Sequence, residues 1–434
     1  MTAQGLPASA IATTALLSRS PPITDLIVIG GGPAGLMAAI AAAESGLASV
    51  LVLEATAELL AKVRISGGGR CNVTHACWDP RDLVNYYPRG SKPLRGPFSR
   101  FACGDAVAWF AEHGLELKEE ADGRMFPVAN CSSAVVDCLS QAASAAGVRL
   151  QTDRAVEGLK RQDEQGFLVQ CRSGSILRAS RVLLATGGHA SGRKLAAGIG
   201  HTLVPPVPSL FSLSIREPSL QACSGTAVDA VELTLDTGDQ RFVQTGRVLI
   251  THRGLSGPAT LALSAFAARE LHQQRYQADL RVNWSGGLDR DQLQDRLMAL
   301  RRQQPRRTLT AARPVESLPR RLWQALLVQA AADPQLRWGD CPARLERSLV
   351  EALVASPYRI QGRGPYLEEF VTAGGIALEE VDLVKMESRL CPGLHFAGEL
   401  LDVDGLTGGF NFQHCWTSGW LAGQAIAKSV QLAT

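Results

Sequence analysis

No apolar run in this sequence reaches the length of a bilayer span, which argues against a helical membrane protein. Cys-x-x-Cys is also missing among the ten cysteines, so neither a zinc site nor a disulfide framework is indicated, and reduced thiols in a cytoplasm are the expectation. A charge excess of one sign is missing too. With 44 Lys and Arg against 41 Asp and Glu, the net +3 names no particular partner. The first 23 residues hold no acid and one Arg; they lack the charged start of a secretory signal and the Arg density of a transit peptide. Residues 1–23 therefore read as a flexible N-terminal tail. No Ser–His–Asp or metal-ligand constellation stands out, so no metal is expected. With 434 residues and 46% hydrophobic content, the chain can bury a large core in two or three domains.

What is present begins at Asp25. A mostly apolar strand leads into Gly30-x-Gly32-x-x-Gly35, an alanine-rich helix runs to about Ser45, and a second strand, Val50–Leu53, ends at Glu54. Each part answers a need of a dinucleotide. Gly30 permits the tight turn, Gly32 lets backbone approach a pyrophosphate, and Gly35 lets helix pack on strand. Pro33 and Ala34 open the helix, whose free N–H groups and positive dipole end suit phosphate. Glu54 can accept from ribose hydroxyls and disfavours a 2′-phosphate.

The far end of the chain indicates which dinucleotide. Leu394–Phe396 is a short apolar run followed by Gly398-Glu399, and Thr407, Gly408, Gly409, Phe410 and Asn411 lead to a helix expected over Trp416–Ala427. An acid past a strand suits a ribityl hydroxyl, and a glycine-rich helix start suits the negative N1/C2=O side of a reduced flavin. A nicotinamide protein needs no such second half-site. The cofactor expected is FAD.

Together with Ile65–Thr74, Asp122–Pro127, Thr251–Pro258, Val371–Ile376 and Phe396–Gly405, this chain resembles the BaiN/RdsA-type flavoproteins, also described as aminoacetone-oxidase-like FAD-binding enzymes. The likeness runs from about Asp25 to the C-terminal helix. Arg64, where an apolar residue is expected, and His414, where an aromatic is more usual, depart from the pattern. The resemblance implies an α/β fold: a discontinuous, Rossmann-like FAD domain with an inserted small β-barrel that itself carries a helical insertion. The expected boundaries are 24–188 and 365–434 for the FAD domain, 189–286 and 342–364 for the barrel, and 287–341 for an Arg-rich helical insertion. Lys62, Val156 (through its backbone to adenine) and the Thr186-Gly187-Gly188 turn join the expected cofactor contacts. Relatives implied by the resemblance reduce carbon–carbon double bonds, including a uracil ring in ribosomal RNA, or oxidise a small amine.

Between the expected halves of the cofactor site lies Ser66-Gly67-Gly68-Gly69-Arg70-Cys71-Asn72. Three glycines let backbone N–H groups approach a flat ring or a pyrophosphate. Arg70 can meet a phosphate or carboxylate, and Asn72 can both donate to and accept from the pyrimidine edge of a flavin. Cys71 has no partner at redox-pair spacing, since Cys77 is too far along a turn. His252 is a candidate proton donor or a loop histidine fixing backbone, and Arg124 and Arg253 are candidate anchors for an anionic group. No second glycine fingerprint follows Gly188, so NAD(P)H is expected only as a transient reductant at the flavin face. Otherwise the enzyme is an oxidase. The substrate is a small molecule or RNA. The RNA reading rests on the nine Arg and three acids between Arg290 and Arg321.

For the regions between the motifs, helices are expected near Asp105–His113 and over Ser133–Ala146. Short antiparallel strands are expected at Val148–Thr152, Ala155–Leu159, Phe167–Cys171 and Ile176–Ala179. A separate buried strand is expected at Arg181–Ala185, and barrel strands at Val231–Leu235 and Arg247–Ile250. Residues 344–364 are expected to return through the barrel.

Overall fold

The computed structural model describes residues 23–162, 166–364 and 371–432. The expected tail, apart from Ile23, and the expected re-entry into the first domain at residue 365 lie outside the described residues.

The strand Ile23–Ile29 is wholly apolar from Leu26 onward because it is buried on both faces. It lies mid-sheet, parallel to Val50–Leu53 on one side and to Ile176–Leu184 on the other. Leu394–Phe396 continues the parallel array beyond Ile176–Leu184, and Arg149–Gln151 continues it beyond Val50–Leu53. The hairpin Val156–Gln162 and Gly166–Cys171 joins antiparallel to Ile176–Leu184.

On one face the helix Pro33–Glu44 packs against the long C-terminal helix Phe410–Gln431. Residues Ala34 to Ala42 are all buried, which explains why this helix is apolar all round.

The second unit is a closed six-stranded barrel of Leu213–Ile215, Gly254–Ser256, Arg241–Thr251, Ala227–Asp236, Ala278–Asn283 and Ser356–Arg363. Its core is continuous with that of a helical insertion, formed by Arg290–Gln303, Arg320–Gln329 and Ala343–Val354, around Trp284, Trp323 and Trp338. The Trp323 and Trp338 indoles donate to Leu309 O (2.7 Å) and Ala312 O (3.1 Å), which satisfies these two buried N–H groups. Two strands join the units: Leu203–Ser209 runs antiparallel to Val371–Ile376.

Several expected elements differ in the structure. The strand over 149–151 is parallel, because it extends the dinucleotide-binding sheet and does not start the hairpin. Ile176–Ala179 and Arg181–Ala185 are one strand, Ile176–Leu184, whose first half pairs with the hairpin and whose second half joins the parallel core. The C-terminal helix begins at Phe410, six residues earlier than its apolar periodicity suggests, because the glycines before it form its cap. Residues 343–354 form the last helix of the insertion, and only Ser356–Arg363 returns through the barrel. The helix Ala190–Gly198 buries Leu195 and Ala196 in the first core, so the chain leaves that domain later than residue 189.

Candidate functional site

The first half-site forms where Ile23–Ile29 runs out. Gly30 has φ +114°, and a Cβ there would lie 2.4 Å from Ala185 O; a Cβ on Gly35 would lie 2.0 Å from Gly30 O. Both are required by the turn itself. Gly32 differs. Its backbone is extended, it caps the helix with no side-chain partner, and a Cβ would meet nothing within 4 Å. Open space in front of Gly32 and of the N-terminal N–H groups of Pro33–Glu44 is what a pyrophosphate needs.

At the end of the neighbouring strand, Glu54 holds this turn. Its Oε2 accepts from Gly31 N (2.8 Å), and its Oε1 accepts from Thr56 N and Thr56 Oγ1 (both 2.9 Å). Arg154 N donates to Glu54 O, which brings the start of the Val156 strand beside the acid. Thr186, whose backbone N would lie 3.0 Å from a Cβ on Gly30, carries a buried hydroxyl with no partner among the described residues. The open Gly32 face fits the pyrophosphate of FAD, and the Thr186 hydroxyl lies against Gly192, on the side of the Gly187-Gly188 turn.

The second half-site sits two strands away, at the end of Leu394–Phe396. Gly398 N donates to Ser418 Oγ, and a Cβ on Gly398 would stand 2.9 Å from Ala34 Cβ, so the two glycine turns adjoin. Glu399 accepts from Lys62 Nζ (2.7 Å) and Thr372 N (3.0 Å), and its carboxylate lies against Gly187 and Gly188. Residues 62, 187, 188, 372 and 399 thus converge on one spot at the carboxyl ends of parallel strands, where open α/β sheets place ligands.

The glycine loop follows directly on the short helix Ala61–Ile65 that carries Lys62. Gly67, Gly68, Gly69 and Cys71 all have φ between +57° and +85°, with Arg70 between them right-handed and Cys71 the non-glycine member of the set. Cβ atoms on Gly68 and Gly69 would face open space. The Cys71 thiol is buried and pushed up to about 11, which keeps it a neutral packing group. Oriented to satisfy both neighbours, the Asn72 amide donates to Thr74 O (2.9 Å) and accepts from Gly409 N (3.1 Å). A Cβ on Gly409 would sit 2.5 Å from Thr74 O, so the Gly408–Gly409 turn and the end of the glycine loop are in contact.

Some expected side chains face elsewhere. Arg70 pairs with Glu120, accepts no role at the glycine turns, donates to Asn130 Oδ1 (3.0 Å) and lies 4.0 Å over the Phe126 ring. Asn411 spends its amide closing the preceding turn, accepting from Gly405 N and donating to Gly405 O (both 2.8 Å). Thr407 is exposed, and Phe410 is buried under the turn. Arg124 is held by Asp122 (2.8 Å) beside Arg70 and Phe126. His252 and Arg253 are exposed and line a groove of about 240 Å³ with Ser214, Arg216 and Gln221, all from the barrel side. The structure therefore brings Arg124 near the glycine loop and leaves His252 and Arg253 in a separate cluster.

Three features had no sequence reading. The His75 ring stacks on Phe410 (4.7 Å), which stacks on Tyr86 (4.2 Å); burial lowers the His75 pKa, and its Nδ1 has no partner. His75 follows the glycine-loop motif by one residue, which is the signal that could have found it. Arg89 forms a buried ion pair with Asp404 and also reaches Ser209 Oγ and Ala265 O. Burial raises the Asp404 pKa, opposed by the Arg89 charge. Arg269 meets both oxygens of Asp402 at 2.8 Å. These two pairs fasten the barrel-side helices Pro258–Phe266 and Ala268–Gln273 to the 402–404 segment. Among the described residues there is no metal-binding cluster of three or more His, Cys, Asp or Glu, and no helix is long and apolar enough to cross a membrane.

Comparison with known proteins matches residues 24–425 to the family model described as the HI0933-like protein Rossmann domain. The 3-dehydro-bile acid delta(4,6)-reductase of Clostridium scindens is 31% identical over 414 residues, 92% of this chain and 98% of that protein. A ribosomal RNA dihydrouridine synthase of Escherichia coli is 30% identical over 420 residues, 93% of this chain and 99% of that protein. Among solved structures, 3-ketosteroid delta1-dehydrogenase from Sterolibacterium denitrificans superposes with a TM-score of 0.52 at 16% identity, covering 93% of this chain and 99% of that one, a likeness of fold alone. The chain belongs to the HI0933-like family, the flavoprotein group its motifs resemble, and is an FAD-dependent oxidoreductase.

Proposed function

We propose that this flavoprotein reduces an electron-poor carbon–carbon double bond, with NAD(P)H docking transiently as the reductant. The observation that supports the reading is the contact between the two glycine turns, Gly398 against Ala34, which suits one dinucleotide site whose flavin face would serve reductant and substrate in turn. Support comes from the two relatives above, one a 3-dehydro-bile acid delta(4,6)-reductase and the other a ribosomal RNA dihydrouridine synthase.

Bound FAD supplies a hydride donor and acceptor at its N5. In this reading Gly30, Gly32, Pro33, Ala34 and Gly35 hold the pyrophosphate, and Glu54 with the Val156 backbone holds the adenosine. Lys62, Thr186, Gly187, Gly188, Gly398 and Glu399 flank the ribityl side. The backbone of Ser66–Asn72 and of Thr407–Gly409 borders the ring, with Phe410 and Asn411 bracing that turn from beneath. Reduction also requires a proton. Arg124 and His75 stand nearest the glycine loop, and His252 with Arg253 could act only on a substrate spanning to the barrel. The substrate is a small molecule or an RNA base. The ten free thiols fit a reducing compartment such as the cytoplasm.

The test is one preparation. The purified protein should be yellow with releasable FAD, and NADH or NADPH should bleach it without oxygen. Reoxidation is then followed with a conjugated steroid enone, ribosomal RNA fragments, an amine-derived imine series and oxygen. Rapid reoxidation by an enone or by RNA supports the proposal. Reduction of the flavin by aminoacetone and not by NAD(P)H would replace it with an amine oxidase.

A further inference from the structure

We infer that a groove on the barrel anchors the 2′-phosphate of the reductant, so that the enzyme takes NADPH in preference to NADH. The inference rests on the reductase reading for hydride delivery, and on the groove alone for phosphate binding.

The groove, of about 240 Å³, is lined by Ser214, Arg216, Gln221, His252 and Arg253. Leu213 and Ile215 belong to the barrel core, so the alternation of the strand turns Ser214 outward. Its cross-strand neighbours are Gly254 on one side and Gly362 on the other. Neither carries a side chain, which leaves the Ser214 hydroxyl at the floor of an open trough. Gly254 is required there, because a Cβ would lie 2.2 Å from Leu213 O. Ile215 N donates to Arg253 O (2.8 Å), which fixes the hairpin tip bearing His252 and Arg253 next to Arg216.

All five lining residues are polar, so the apolar body of a substrate finds nothing here to pack against. Arg216, His252 and Arg253 are exposed, and among the described residues no carboxylate pairs with them. The neighbouring acid, Glu217, accepts instead from Ser219 Oγ (2.9 Å). Cations beside the glycine turns are already engaged: Lys62 by Glu399, Arg70 by Glu120 and Arg124 by Asp122. Two unpaired guanidinium forks, joined by a hydroxyl, an amide and an imidazole, suit a doubly charged phosphate monoester, because each fork bonds two oxygens at once.

Size and place select the ligand. Sites that enclose a whole small molecule run to about 300–1,000 Å³, so this groove takes one group of a larger molecule. Ser209 Oγ donates to Asp404 Oδ2 (2.7 Å), and Ser214 lies five residues further along the chain. Five residues reach at most about 18 Å, so the groove stands within that distance of the segment leading to the Gly408–Gly409 turn. An extended dinucleotide bridges such a gap, with its nicotinamide at the flavin and its adenosine at the barrel. The Gly30–Gly35 turn serves FAD in this reading, and Glu54 there repels a 2′-phosphate. An arginine beside the ribose is the usual means of accepting one.

The test uses the full-length, FAD-loaded protein as wild type, Arg216→Glu and Arg216→Lys. Anaerobic stopped-flow reduction of the flavin is measured against NADPH and NADH concentration. The wild type should show a lower Kd for NADPH than for NADH. Arg216→Glu should raise the Kd for NADPH about tenfold or more, the loss expected of a charge-assisted hydrogen bond, and move that for NADH less than about twofold. Arg216→Lys should recover part of the loss, since the charge returns without the fork. Melting temperature and FAD content should match the wild type in both variants, because Arg216 is exposed. Equal Kd values for the two nucleotides in the wild type, or parallel losses for both in Arg216→Glu, would overturn the inference. Titration calorimetry with adenosine 2′,5′-bisphosphate and with AMP separates the groove from the reductase reading. If neither nucleotide reduces the flavin, that reading fails, while bisphosphate binding that Arg216→Glu weakens about tenfold upholds the phosphate groove. A bisphosphate that binds no better than AMP would sink it.

Discussion

Lys62 and Glu399 are 337 residues apart in sequence, and Lys62 Nζ lies 2.7 Å from Glu399 Oε2. This contact joins the short helix ahead of the glycine loop to the glycine turn that ends Leu394–Phe396, and so closes the two halves of the site on each other. Lys62 is more than half exposed, so the pair adds little to stability, about 0–1 kcal/mol for exposed pairs. Lys62→Met should therefore leave the melting temperature of the FAD-free protein nearly unchanged and raise the Kd for FAD severalfold. Flavin fluorescence titration and calorimetry together check this; equal FAD affinity would show that the contact is decoration.

The glycines of the first turn separate by role. Gly32→Val places its side chain in open space on an extended backbone, so the protein should fold with near-wild-type circular dichroism and carry no FAD. Gly35→Val drives a Cβ into Gly30 O and should fail to fold or melt far below wild type. A soluble Gly32→Val variant with stoichiometric FAD would make the turn purely structural.

Arg89 and Asp404 form a buried ion pair, with the carboxylate fully enclosed. Removing one partner strands a charge, so Arg89→Ala should cost about 3–5 kcal/mol in urea unfolding. The double change Arg89→Met with Asp404→Leu should cost clearly less, because no lone charge is left behind. Since Arg89 also touches Ser209 and Ala265 O, the single variant should loosen the barrel as well, read as faster hydrogen exchange over 203–209 and 258–266.

His414 is buried against Gly398 O, and burial lowers its pKa from 6.5 to about 4; His395 is lowered to about 4 for the same reason. The unfolded chain protonates these rings first as pH falls. Their contribution is therefore fully present above about pH 6.5 and lost between there and pH 4. His414→Phe should flatten that decline by His414's share while His395 keeps its own. Unfolding midpoints across pH 4 to 7 for the two proteins test it; parallel curves would show that His414 is not the titrating group.

The fingerprint glycines, Glu54 and the Gly398-Glu399 pair were legible in the sequence, because turn sterics and strand burial are local demands that only certain residue types meet. Side-chain direction was not. Arg70 sits in the most suggestive loop of the chain and points to Glu120 and Asn130, partners 50 and 60 residues away that no spacing reveals. Asn411 looked free to meet a cofactor and instead closes its own turn. The same limit hid Arg89 and Asp404, ordinary charged residues until folding buries them together. In the insertion, sequence alone showed the arginine excess, while only the fold separated those absorbed by Glu346 and Leu318 from those left facing solvent. The sequence by itself determined the fold class and the two glycine turns at the strand ends, since period, burial and glycine sterics act over a few residues. The meeting of those turns, the fastening of barrel to sheet and the choice of which charges stay free were decided by tertiary structure, because each depends on contacts between segments far apart in the chain.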